Sequence, residues 1–225
     1  NKTKHRQEVK RSMTTKKREK RDTKKEIANT AAALFAEKGF ASVSARDIAN
    51  AVGIRAASIY SHYPSKEAIM DALIDHYLDR MEFFYTRLAE ADITITSQKY
   101  LGDALNSLML AYEPYEVTLM YQLTRIVHRE QFNFPKAAEA VIGCGYRKYA
   151  SAHAQFFDRL SDAGFILGKE DNQYYGELYA RMSLTFGTQF LHPKIEPTIQ
   201  VQTEMSNFVN KLVLAYEEKK AAQQA

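Results

Sequence analysis

Apolar residues recur along this chain at helical intervals, and the first such run follows a polar leader. Ile27, Ala31, Leu34 and Phe35 lie three or four residues apart, the spacing of one helix face. Thr23-Lys24-Lys25-Glu26 ahead of them has the form of a capping box, in which a hydroxyl and a carboxylate each satisfy a free backbone N–H. Gly39 supplies a left-handed stop. A second N-cap stands at Ser44, with Asp47 in the first turn, and Ala45, Ile48, Ala49 and Val52 form a short inward face that Gly53 ends. After a turn, Ala57 to Tyr63 is predicted as another short helix, with Ile54 and Ile59 pointing back and Pro64 breaking it. Two short helices joined through a glycine turn and packed on a preceding helix make a helix-turn-helix.

Ser65 caps the next helix, in which Ile69, Leu73, Tyr77, Met81, Phe84 and Leu88 recur every three or four residues. Further helices are predicted over Gln98 to Glu113, Pro114 to Arg129, Pro135 to Ala163, Asp171 to His192 and Pro197 to Lys219. Pro114, Pro135 and Pro197 sit at starts, where a missing N–H costs little. No segment alternates with period two, so the expected fold is all-α. The expected organisation is a basic arm over 1–22, a helix-turn-helix domain over 23–68 and a helical body over 69–225. Gly143-Cys144-Gly145 stands out inside a helical stretch, because glycine costs ~1 kcal/mol there relative to alanine. Close helix packing or a bend would account for it.

Charge adds a direction to this pattern. The net charge of +4 hides a basic arm: residues 1–25 carry twelve Lys or Arg against three Asp or Glu. Residues 26–70 are balanced and the rest is mildly acidic, so one end is fitted to meet a polyanion, or else is a solvated leader. Lys16, Lys17, Arg18, Lys20 and Arg21 lie just ahead of the first helix, placed to follow phosphates or enter a minor groove. Hydrophobic residues at 45% allow a packed core. The lone Cys144 excludes an internal disulfide and a thiolate zinc cluster within one chain, which fits a reducing cytoplasm. No apolar run approaches the ~20 residues that span a bilayer, and the arm lacks the apolar core of a secretory leader.

The stretches Ala32-Ala33-Leu34-Phe35-Ala36-Glu37-Lys38-Gly39-Phe40, Ser44-Ala45-Arg46-Asp47-Ile48-Ala49, Val52-Gly53-Ile54 and Ile59-Tyr60-Ser61-His62-Tyr63-Pro64-Ser65-Lys66-Glu67 together resemble the tetracycline-repressor (TetR) family. The match covers about a fifth of the chain, from Ile27 to Leu73, and is specific in order, spacing and residue type. The resemblance implies a homodimer of all-α subunits, a repressor of transcription released from palindromic operator DNA when a small molecule enters the C-terminal domain. It also implies that the last two long helices pair with their mates as a four-helix bundle.

Candidate DNA contacts follow. Arg46 opens the supporting helix, and Arg55 precedes the recognition helix, where its planar fork matches guanine O6 and N7. Ser44, Ser58 and Ser61 offer hydroxyls. Tyr60, His62 and Tyr63 occupy the family's aromatic motif, and Lys66 resembles its phosphate-binding lysine. Tyr63 reads equally well as core packing, and Arg46 as a partner of Asp47 or Glu67. Ala56 and Ala57 depart from the family pattern and leave a small-residue start suited to thymine methyls. In the body, Met81, Tyr112, Tyr121, His128, Tyr146, His153, Phe157 and Met182 are candidates for an apolar or aromatic effector, each also readable as core. The stripes Tyr175, Leu178, Tyr179, Met182, Phe186, Phe190 and Met205, Phe208, Val209, Leu212, Val213, Tyr216 favour the dimer bundle, or close the monomer's own core. Two rivals stand beside this reading. One is a DNA-binding protein of the same fold that answers to a protein partner or acts architecturally. The other is a metal-dependent enzyme built on Asp71, Asp75, His76 and Asp79, for which a solvated acidic face is the simpler account. No catalytic motif or cofactor loop is present in the sequence, so no cofactor or metal is expected.

Overall fold

The computed structural model describes residues 22–91, 114–164 and 169–189, with a few helical positions between 207 and 222. Every element among them is helical. The predicted helices Gln98 to Glu113 and Pro197 to Lys219 lie outside the described residues for all or most of their length, as does Tyr112.

Helix α1 (Thr23–Lys38) buries Ile27, Ala31, Ala32, Phe35 and Ala36. Its cap is Asp22 and not Thr23: the Asp22 carboxylate accepts from the Lys25 N–H at 3.1 Å, and its backbone carbonyl takes the Glu26 N–H. Thr23 is thereby already helical. Gly39 ends the helix at φ 83° and ψ 155°, positive in φ but not a left-handed helical turn. Helix α2 (Ala45–Val52) has the expected cap in reciprocal form. The Ser44 hydroxyl accepts from the Asp47 N–H, and the Asp47 carboxylate accepts from the Ser44 N–H at 2.8 Å. Gly53 closes it in the left-handed region, at φ 77° and ψ 36°.

Helix α3 (Ala56–Ile59) is shorter than predicted. The N–H groups of His62 and Tyr63 both return to the Ile59 carbonyl, so residues 60–63 form hydrogen-bonded turns and not a continuing helix. Ile59 is fully buried and plugs the short helix into the core formed by Ile27, Phe35 and Ile48.

Helix α4 (Lys66–Glu90), capped by Ser65, runs out of this head into the body and buries Ile69, Met70, Leu73, Ile74, Tyr77, Met81, Phe84, Tyr85 and Leu88. Helix α5 (Pro114–Glu130) packs on both α1 and α4. The single helix expected from Pro135 to Ala163 is instead three pieces: α6 (Pro135–Glu139), a π-helical segment (Ala140–Lys148) and α7 (Tyr149–Asp162). The widened segment contains Gly143-Cys144-Gly145, which accounts for their unusual place. The Cys144 carbonyl accepts the Tyr149 N–H five residues on and also the Tyr85 hydroxyl, at 2.5 Å. A 3₁₀ turn (Lys169–Asp171) leads into α8 (Asn172–Gln189), which starts one residue later than predicted.

Helices α7 and α8 cross closely because Gly176 has no side chain. A Cβ there would lie 2.5 Å from the Ala150 carbonyl oxygen and 2.7 Å from the Ala154 nitrogen. Phe208, from the second C-terminal stripe, packs its ring near Tyr175 and Tyr179 of α8, so that residue closes the chain's own core. No described helix is long and apolar enough to cross a membrane.

Candidate nucleic-acid interface

The turn between α2 and α3 is built by backbone chemistry. The Gly53 and Ile54 N–H groups return to the last turn of α2, and the left-handed Gly53 redirects the chain. Arg55 follows in extended conformation, then α3, whose carbonyl–N–H bond from Arg55 to Ser58 starts the helical turn. Arg46, Arg55, Ala57, Tyr60 and Ser61 are exposed around these two helices; Ser58 and His62 are half-buried. Tyr60 is 56% exposed, so its ring and hydroxyl stand out from the head.

Hydrogen bonding divides the nine expected contacts. The Ser44 hydroxyl both accepts from the Asp47 N–H and donates to the Asp47 carboxylate at 2.6 Å, so it is a cap. The bonds from the Ser44 hydroxyl and N–H, both made to one oxygen of the carboxylate, hold the Asp47 carboxyl below its usual pKa range, with smaller help from the charges of Lys38 and Arg46. Ser61 donates to the Ser58 carbonyl at 2.7 Å, which leaves it lone pairs to offer and no proton. Tyr63 takes the core reading: it is 6% exposed, and its hydroxyl donates to the Lys24 carbonyl at 3.4 Å. Burial, and then the charge of Asp22, push its phenol pKa up.

Lys66 is half-buried and bonded within the protein. Its ammonium donates to the carbonyls of Phe40 at 2.9 Å and Val43 at 2.8 Å, and lies 3.9 Å from the centroid of the Phe40 ring. It ties the α1–α2 turn to the start of α4. On the other side of that turn the Phe40 N–H donates to Glu130 at the end of α5, at 3.0 Å. The Phe40 ring meets Phe35 and Phe134 edge-on, with centroids 5.3 and 4.9 Å apart. Sequence reasoning singled out neither Glu130 nor Phe134. Phe40 lay inside the quoted motif, but nothing local marks a partner 90 residues away.

In the body, the expected ligand residues that are described differ in burial. Met81, His128, His153 and Phe157 are buried; Tyr121, Tyr146 and Met182 are half-buried. His153 packs against Tyr149 and Tyr179, with ring centroids 4.2 and 4.5 Å away, in an aromatic core that also holds Phe84 and Phe157. Its Nδ1–H donates to the Tyr149 carbonyl, and burial pushes its pKa down to about 4, so it is neutral. Tyr146 instead receives an Arg181 N–H at 3.1 Å near the surface. A half-open groove of about 390 Å³ lies between α4 and α7, bordered by Glu82, Tyr85, Lys148, Gln155, Phe156 and Arg159 among others, and by none of these seven residues. On α4, Asp75 forms an ion pair with Lys136 at 2.7 Å.

Residues 27–73 match the family described as bacterial regulatory proteins, tetR family. Among curated proteins, the HTH-type transcriptional repressor KstR2 of Rhodococcus jostii is 29% identical over 117 residues, 48% of this chain and 54% of that protein. The chain thus spans about half the length of this relative. The solved structure of Salmonella enterica GusR superposes with a TM-score of 0.60 at 22% identity, over 88% of this chain and 99% of that one. A transcriptional regulator from Saccharomonospora viridis, solved in complex with choline, superposes at 0.59 with 21% identity, over 84% and 93%. The two structures establish a shared fold.

Proposed function

We propose that this chain, whose residues 27–73 match the TetR family of bacterial regulatory proteins, is a dimeric, ligand-released repressor of transcription in the cytoplasm. The observation that carries this is the exposed set Arg46, Arg55 and Tyr60, with half-buried His62, on two short helices fixed by the Gly53 turn. Arg55 reads the base edge, its fork suited to guanine, while Arg46, Tyr60 and His62 hold phosphates. Ala56 and Ala57 present a smooth start for a thymine methyl. Ser44, Tyr63 and Lys66 support these contacts from within the protein. The basic arm adds phosphate contacts upstream.

Two copies related by a two-fold axis would place their heads on half-sites roughly 34–36 Å apart on a palindrome. The effector is an apolar or aromatic small molecule, a reading supported by the density of Tyr, Phe and Met in the body; that the body takes a small molecule at all is supported by the choline-bound neighbour of the same fold. Selection of bound duplexes from a random DNA library, repeated with a metabolite mixture, tests this. The expected result is a palindromic site whose recovery falls when the mixture is added. Recovery of unrelated sequences in proportion to their abundance would overturn sequence-specific binding, and an unchanged yield with every metabolite would overturn ligand release.

A further inference from the structure

We propose that Glu130 and Lys66 are positioning residues that set the tilt of the reading helices by holding opposite ends of Phe40, so that the end of α5 is the joint through which the body aims the head. This rests on the DNA-binding function proposed above, but its structural content stands apart from it.

Phe40 sits in the turn between α1 and α2, five residues ahead of Ala45, where α2 begins. Its N–H goes to Glu130 on α5 and its carbonyl to Lys66 on α4, so two body-linked helices grip one residue of the head from both sides. The grip has little slack. Lys66 also takes the Val43 carbonyl, and its ammonium covers the Phe40 ring. Glu130 is 6% exposed, and its second oxygen is fixed by the Asn133 side-chain amide at 3.1 Å. The Asn133 and Phe134 N–H groups fold back onto the Glu130 carbonyl, which brings the Phe134 ring against Phe40. The Arg129 side chain closes on Gly39 so tightly that a Cβ there would lie 2.9 Å from its Cζ.

A buried carboxylate and an ammonium are directional groups, strong at hydrogen-bond distance and costly to leave unpaired. A shift of α5 relative to α4 therefore cannot be absorbed at Phe40 without breaking one of the two grips, and it reaches α2 and α3 as a tilt. Since a two-fold protein engages both half-sites only when its heads match their spacing, loosening this joint should blur spacing preference more than contact with either half-site.

The test uses the full chain with Glu130→Gln, Glu130→Ala and Lys66→Met. Spin labels on Glu37→Cys and Ser151→Cys, in a Cys144→Ala background, report the head-to-body distance without DNA. The expected result is a narrow distribution in the parent and in Glu130→Gln, which keeps an acceptor for the Phe40 N–H, and a broadened one in Glu130→Ala and Lys66→Met. On duplexes carrying two selected half-sites at varied spacing, the parent's preference for one spacing should fall by about tenfold or more in Glu130→Ala. Binding to an isolated half-site should persist. Unchanged distance distributions in both Glu130→Ala and Lys66→Met would overturn the inference, as would an intact spacing preference or an equal loss of half-site binding. A parent that selects no DNA site would overturn the proposed function alone, and the label distances would still decide the joint.

Discussion

His153 is buried to 1% exposure with its Nδ1–H fixed on the Tyr149 carbonyl, and the rings of Tyr149 and Tyr179 pack against it. Burial dominates the weaker pull of that carbonyl and lowers the pKa from 6.5 to about 4. The unfolded chain therefore binds a proton that the folded chain refuses. Stability contributed in this way is fully present above pH 6.5, declines as pH falls from 6.5 toward 4, and is lost to the extent of about 3 kcal/mol below that window. Burial lowers the His128 pKa as well, with the same sign. Thermal unfolding followed from pH 7 to 4 should show this decline, and His153→Phe should flatten it. A variant as acid-sensitive as the parent would place the proton uptake elsewhere.

At the scale of elements, local chemistry and close packing decide different things. The Ser44–Asp47 box starts α2 from within the chain, so Ser44→Ala should cost about 0.5–2 kcal/mol and lower the melting temperature without changing the helices around it. The α7–α8 crossing depends on something a helix pattern does not reveal. Gly176→Ala would drive a Cβ into the backbone of Ala150 and Ala154, which cannot swing aside as a side-chain tip can. The expected loss is about 1–3 kcal/mol by denaturant titration, and a neutral result would mean the two helices separate easily. The same limit explains the Pro135 to Ala163 stretch. Apolar spacing identifies a helical run but does not separate α from π turns, and the widened segment is held by a Tyr85 hydroxyl arriving from another helix.

For the whole molecule, basic charge is concentrated in residues 1–25, ahead of residues 26–70, whose own charges balance. If the arm follows phosphates, each contact adds to the dependence of affinity on salt. Removing residues 1–21 should therefore reduce the log–log salt slope of DNA binding in electrophoretic or anisotropy titrations, while the selected sequence stays the same. An identical slope would confine DNA contact to the head. The arm acts through charge, whereas the α5 joint acts through geometry, so the two changes should be separable: one alters salt dependence and the other alters spacing.

Much of the head was legible in the chain because its determinants are neighbours. Ser44, Gly53, Pro64 and Ser65 mark caps, a left-handed turn and a break through contacts within a few residues, and the apolar spacing of α1, α2 and α4 follows from helix geometry. Tertiary structure decided which polar groups of that head remain available. Tyr63 turned inward, Lys66 closed on carbonyls 26 and 23 residues away, and Glu130 reached Phe40 across 90. In the body, the Tyr and Met pattern marks helix faces but does not say which of them border a groove, because an apolar side chain packs alike against core or ligand. Short-range hydrogen bonding and helical periodicity are written in the order of residues. The partner of a long side chain depends on where a distant helix ends, and only the folded chain brings that end into place.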